Sequence, residues 1–106
     1  MSGRLTTHVL DVAAGRPAAG IAITLLRDDA VVAEAVTDAD GRATVLDALE
    51  AGVYELRFAV GEHFAADAQP AFLDVVPVRF GVSDPDAHHH VPLLVAPWAY
   101  STYRGS

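Results

Sequence analysis

Turn signals cut this chain at short intervals, and that rhythm limits the fold more than any other feature. They are AAGRPAAG at 13–20, RDDA at 27–30, DADG at 38–41, EAG at 50–52 and SDPDA at 83–87. Gly, Pro and Asp supply the φ angles and local hydrogen bonds that reverse a chain. The runs between them are short and rich in Val, Leu, Ile, Thr and Tyr, which suit a half-buried pleated surface. Short strands with frequent turns predict an all-β sandwich. Strands are expected near 4–12, 20–27, 30–37, 42–47, 53–60, 72–81, 88–95 and 98–104. RDDA reads as a tight hairpin, and Gly41 is placed to take a positive φ. Pro77 has no N–H for a ladder, so its strand belongs at an edge or a bulge. GEHFAADAQ at 61–69 lacks alternation and is expected to form one short surface helix. With no repeat, linker or low-complexity tract, residues 1–106 are expected to form a single domain.

Composition removes several kinds of chemistry. There is no cysteine, so disulfides and thiolate metal sites are excluded. All seven basic residues are arginines. Without lysine there is no Schiff base and no lysine general base. The net charge of −7 repels phosphate backbones and argues against nucleic-acid binding. No apolar stretch has the length of a membrane span, and MSGRLTTHVLD holds no signal-type apolar run, so the expected compartment is the cytoplasm. The hydrophobic share of 52% is above the usual and suggests burial between subunits.

Strand period sorts the remaining candidates onto faces. In LTTHVLDV, Thr6, His8, Leu10 and Val12 share one side. In HHHVPLL, His88, His90, Pro92 and Leu94 share one side, with His89 and Val91 on the other. In WAYSTYRG, Ala99, Ser101 and Tyr103 alternate with Trp98, Tyr100 and Thr102. Both sides of these strands carry bulky or apolar groups, as expected if another subunit covers the side away from the core. A lone His8 in mid-strand is ordinarily a packed residue, and HHH alone can be a solvated edge. Two imidazoles on paired strands are different, because a neutral imidazole can take a proton from water near neutral pH. Arg42, just after DADG, is either a solvated turn residue or a group that stabilises a developing oxyanion. Asp38 and Asp40 read as turn formers. His8, His88 and His90 also have the nitrogens for a catalytic zinc site, although no carboxylate partner lies near in sequence. Ser101 and Ser106 lack the Gly-x-Ser-x-Gly elbow of a nucleophilic serine.

LTTHVLD at 5–11, TDADGRA at 37–43 and HVPLLVAPWAYSTYRGS at 90–106 together resemble the 5-hydroxyisourate hydrolases, the transthyretin-related proteins of urate degradation. The terminal Tyr-Arg-Gly-Ser is the most specific part, because it separates these hydrolases from transthyretin itself. The resemblance implies a transthyretin-like sandwich of two four-stranded sheets with one short helix. It implies a homotetramer, a dimer of dimers, with active sites in a cleft between dimers. It implies that His8, Arg42, His90 and Ser106 are catalytic, that Tyr103, Arg104 and Gly105 bind substrate, and that no metal or organic cofactor is needed. His88 lies one pleat from His90, and His90 is taken as functional because it directly precedes VPLL. The alternative is a transthyretin-like carrier of small ligands without catalysis, since a fold alone does not fix function.

Overall fold

The computed structural model describes residues 3–66 and 71–106. Its elements in chain order are β1 (Leu5–Asp11), β2 (Arg16–Pro17), β3 (Ala22–Arg27), β4 (Ala30–Val36), β5 (Arg42–Leu46), β6 (Gly52–Ala59), α1 (Val60–Ala66), β7 (Val75–Val82), β8 (His89–His90), β9 (Leu93–Ala96) and β10 (Ala99–Thr102).

One sheet is antiparallel in the order β4-β3-β6-β7. Asp28 and Asp29 join β3 to β4, with φ of 53° and 64°. Positive φ at both central residues gives a turn whose twist matches the strands it links. Among the described residues β7 pairs only with β6, which leaves Pro77 on an edge strand.

The other sheet is built around β1. On one side β1 pairs antiparallel with β5 over its first half and with β2 at its end. On the other it pairs parallel with β8 and then β9, and β10 lies antiparallel outside β9. Six short strands therefore fill four strand positions. The run expected as one strand at 88–95 is broken between β8 and β9 at Val91 and Pro92, and proline has no N–H to continue the ladder. The Val91 N–H still donates to Thr6 O at 2.9 Å, so the two halves stay on the line of β1. The helix begins at Val60, one residue earlier than expected, and runs to Ala66, while 67–70 lie outside the described residues.

The sheets enclose a common core. Leu5, Val9, Leu93 and Val95 from the β1 sheet meet Ile23, Leu25, Leu56, Phe58 and Val76 from the other, and Val60 and Phe64 of α1 close it. Burying a side chain of this kind contributes about 1.5–3 kcal/mol. The alternation of β1 follows: Leu5, Thr7, Val9 and Asp11 are buried, whereas Thr6, His8 and Leu10 are half-buried on the outward side. Thr7 enters the core because its hydroxyl donates to Val91 O at 2.6 Å. No helix among the described residues is long and apolar enough to cross a membrane.

Candidate active site

A cavity of about 360 Å³ opens on the outward side of β1 where β5, β8 and the last residues of the chain meet. Thr6, Arg42, His88, His90 and Ser106 line it, with Asp38, Thr7, Ala43 and Thr44.

Arg42 is placed by its turn. The Asp38 carboxylate accepts from the N–H of Asp40 at 2.9 Å and of Arg42 at 3.0 Å. Gly41 has φ of 74°, and a side chain there would collide with Val9 O, so the turn closes only on glycine. Asp38 thus shapes the turn, as its sequence context predicts, and also borders the cavity. Arg42 opens β5 as an exposed residue, and its register partner on β1 is His8.

His90 is placed by β1 and by the chain end. It pairs in register with Thr6, and its carbonyl accepts from Gly105 N–H at 2.7 Å. Its Nδ1 lies 2.8 Å from Thr6 Oγ1, and His88 Nε2 lies 2.6 Å from the same oxygen. The two ring centroids are 6.2 Å apart. Burial, first, and then the charges of His88, Arg42 and His8 hold His90 below the ordinary imidazole value. A neutral imidazole can accept a proton, so this setting suits a base.

His8 lies one pleat beyond Thr6, near enough for its charge to bear on His90, but it is not among the residues lining this cavity in the single chain. Ser106 lines the cavity, and Gly105 abuts the His90 ring. Tyr103 and Arg104 are placed elsewhere. They border a separate hollow of about 260 Å³ with Val78, Phe80 and His89. The chain passes between the two hollows at Gly105, so in the single chain Tyr103 and Arg104 border one hollow and Ser106 the other.

Thr6 is a cavity residue to which the sequence assigns no function, and His88, which the sequence offers only as a zinc ligand, stands beside it. The i, i+2 spacing in HHH and the Thr6–His8 alternation were the available signals, but their meeting depends on strand register. No group of three or more His, Asp or Glu side chains among the described residues is gathered as a metal site requires. His88 and His90 turn these nitrogens onto a threonine hydroxyl.

A sequence profile described as the HIUase/Transthyretin family matches residues 5–105. The 5-hydroxyisourate hydrolase of Ralstonia nicotianae is 55% identical over 116 aligned positions, spanning 98% of this chain and 99% of that protein. The solved structure of Klebsiella pneumoniae 5-hydroxyisourate hydrolase superposes with a TM-score of 0.90 at 37% identity, covering 98% of this chain and 94% of its own. Sea bream transthyretin in complex with thyroxine superposes with a TM-score of 0.86 at 28% identity, covering 95% and 93% of the two chains.

Proposed function

The chain belongs to the HIUase/transthyretin family, and from that premise we propose that it hydrolyses 5-hydroxyisourate to 2-oxo-4-hydroxy-4-carboxy-5-ureidoimidazoline. The observation that carries this reading is the convergence of Arg42, His90 and Ser106 on one cavity beside His8. Relatives named for that activity, similar over the whole chain, support it.

The reaction adds water to a ring carbonyl and opens the six-membered ring. Water must lose a proton as it attacks, and the carbonyl oxygen gains negative charge. His8, in concert with His90, takes the proton, a contribution of about 10²–10⁴ in rate for a placed general base. Arg42 is a fixed cation at the cavity mouth, suited to holding the substrate and stabilising the oxyanion. Ser106 hydrogen-bonds substrate or water. Arg104 and Tyr103, which lie beside His89 in the single chain, take their substrate-binding roles only in an assembled cleft. Residues 1–106 act as one cytoplasmic domain, and no metal or organic cofactor enters the reaction.

The same reading includes a homotetramer with its clefts between dimers. Trp98, just before the edge strand β10, and Tyr100, within it, are 66% and 45% exposed and are apolar surface that a second copy would cover. The similarity to a thyroxine-bound transthyretin favours a carrier as the second reading. A carrier of apolar ligands has no use for two imidazoles and a guanidinium around its cavity. A zinc hydrolase using His8, His88 and His90 is the third.

A coupled assay separates the three. Urate oxidase generates 5-hydroxyisourate in place, and its near-ultraviolet absorbance is followed with and without the protein, with chelator present. Decay faster than the spontaneous rate is the expected result. Background decay from folded protein would favour the carrier, and activity restored by added zinc would favour the metal enzyme.

A further inference from the structure

Thr6 Oγ1 lies within hydrogen-bond distance of two imidazole nitrogens at once, His88 Nε2 at 2.6 Å and His90 Nδ1 at 2.8 Å. A hydroxyl has one proton, so when it donates to one ring it accepts an N–H from the other. Only two such arrangements of neutral rings exist. In the first, His90 carries its proton on Nδ1 and donates it to Thr6, while Thr6 donates to His88 Nε2, so both rings are Nδ1–H tautomers. In the second, Thr6 donates to His90 Nδ1 and accepts from His88 Nε2–H, so both rings are Nε2–H tautomers; reaching it from the first also requires His90 to gain a proton at Nε2 and His88 to lose one from Nδ1. The hydroxyl locks the two tautomers to each other.

We propose that Thr6 is a positioning residue that sets the tautomer of His90 and relays a proton from His90 to His88. The inference rests on the hydrolase reading. In the first arrangement Nε2 of His90 has a free lone pair and is the nitrogen available to the cavity. Acting in concert with His8, which polarises the attacking water, it receives the proton as the new C–O bond forms. The Nδ1 proton of His90 passes to Thr6 Oγ1, and the Thr6 proton passes to His88 Nε2. His90 ends neutral, Thr6 ends unchanged, and the positive charge rests on His88. His88 is exposed where His90 is half-buried, so the charge settles on the better hydrated ring. The burial and the neighbouring Arg42 and His8 that disfavour a charged His90 act in the same direction. His88 then returns its proton to solvent or to the leaving nitrogen.

The test compares Thr6→Val, which keeps the shape and removes the hydroxyl, with Thr6→Ser, which keeps the hydroxyl. Thr6→Val should lower kcat about tenfold or more with KM within about twofold, a fraction of what a general base supplies. Thr6→Ser should stay within about threefold of the parent. Nitrogen-15 spectra of the histidine side chains in the intact protein, assigned with His88→Gln and His90→Gln, should show His88 and His90 both as Nδ1–H tautomers. Full kcat in Thr6→Val, or Thr6→Ser as slow as Thr6→Val, overturns the relay. So does a resting His90 that carries its proton on Nε2, or a His88 Nε2–H paired with a His90 Nδ1–H. If Thr6→Val does not fold, His88→Gln replaces it and should show the same fall in kcat at unchanged KM; an unaffected kcat overturns the relay. A parent protein inactive on 5-hydroxyisourate sinks the hydrolase reading instead, and the tautomer spectra still decide the coupling.

Discussion

Gly105 packs against the side chain of His90. A Cβ on Gly105 would stand 2.5 Å from His90 Cδ2, while the Gly105 N–H donates to the His90 carbonyl at 2.7 Å. The glycine has no left-handed φ to require it, so what excludes a side chain is the imidazole itself. Two features follow from one contact: the ring is held against β1, and the chain end is held where Ser106 reaches the cavity.

Gly105→Ala must therefore move either the ring or the chain end. A misplacement of about 1 Å at a reacting group costs about 10²-fold in rate. We expect kcat/KM to fall by about 10–100-fold with little change in thermal stability, because Gly105 lies outside the core. Steady-state kinetics beside a melting curve checks this. Parental activity would show that the chain end is not placed by His90.

His8→Asn removes the imidazole and keeps a polar side chain of similar reach. His8 is on the outward side of β1, opposite Arg42 in register, so the core does not depend on it. Turnover should fall by about 10²–10⁴, the range of a lost general base. Sedimentation and melting temperature should match the parent. A variant that keeps full turnover would leave His90 as the sole base, in line with the absence of His8 from the cavity lining of the single chain.

Much of this arrangement is legible in the chain. The turn residues are local, so the Asp28–Asp29 hairpin and the Gly41 turn can be read from a few neighbouring residues. Alternation along LTTHVLD places His8 and Thr6 on one side and Leu5 and Val9 in the core, because strand period is a property of the backbone. Register between distant strands is not local. Nothing within residues 5–11 or 88–90 states that Thr6 stands beside His90 rather than one pair further along, and that register creates the shared hydroxyl. The split of Tyr103 and Arg104 from Ser106 is hidden for the same reason. It depends on where Gly105 meets His90, a contact between two segments that read as separate strands. The break at Pro92 was more accessible, since a proline inside an expected inner strand is a warning in itself.

Arg42→Leu tests the electrostatics of the cavity. With burial the larger cause, Arg42 is one of three charges that hold His90 below the ordinary imidazole value. A lowered value keeps His90 neutral to lower pH, so the acid limb of kcat/KM should lie below about pH 6.5, the unperturbed imidazole value. Removing the guanidinium makes the imidazolium less costly, so the limb should move upward toward that value. The pH-independent rate should also fall, by about 10²–10³ if Arg42 stabilises the oxyanion. Arg42 is exposed, and its turn is held by backbone N–H groups on Asp38, so the fold should survive. A lower rate with an unmoved acid limb would separate Arg42 from the titration of His90.

Asp11 and His63 carry a stability prediction away from the cavity. The Asp11 carboxylate ends β1 on the core side, with Oδ2 2.9 Å from His63 Nε2 and Oδ1 accepting from Ala14 N–H at 2.9 Å. Burial alone would raise the carboxyl, but the hydrogen bonds from His63 and Ala14 and the charge of His63 outweigh it, so it lies below the ordinary value of 3.8. A carboxyl that is more acidic in the folded state stabilises that state fully above its unfolded value. The contribution is lost as pH falls through the lower folded value. Asp11→Asn should therefore cost about 1.5–3 kcal/mol at pH 7, the range for a hydrogen bond to a charged group. The gap to the parent should narrow below about pH 4, as protonation removes the same charge from the parent. His63→Ala should cost more than Asp11→Asn at pH 7, because it strands a buried carboxylate rather than neutralising it. Urea unfolding of the three proteins at pH 7 and pH 3 checks both orderings. A gap between parent and Asp11→Asn that stays constant across the two pH values would mean that the carboxylate's charge contributes nothing to anchoring α1 against the end of β1.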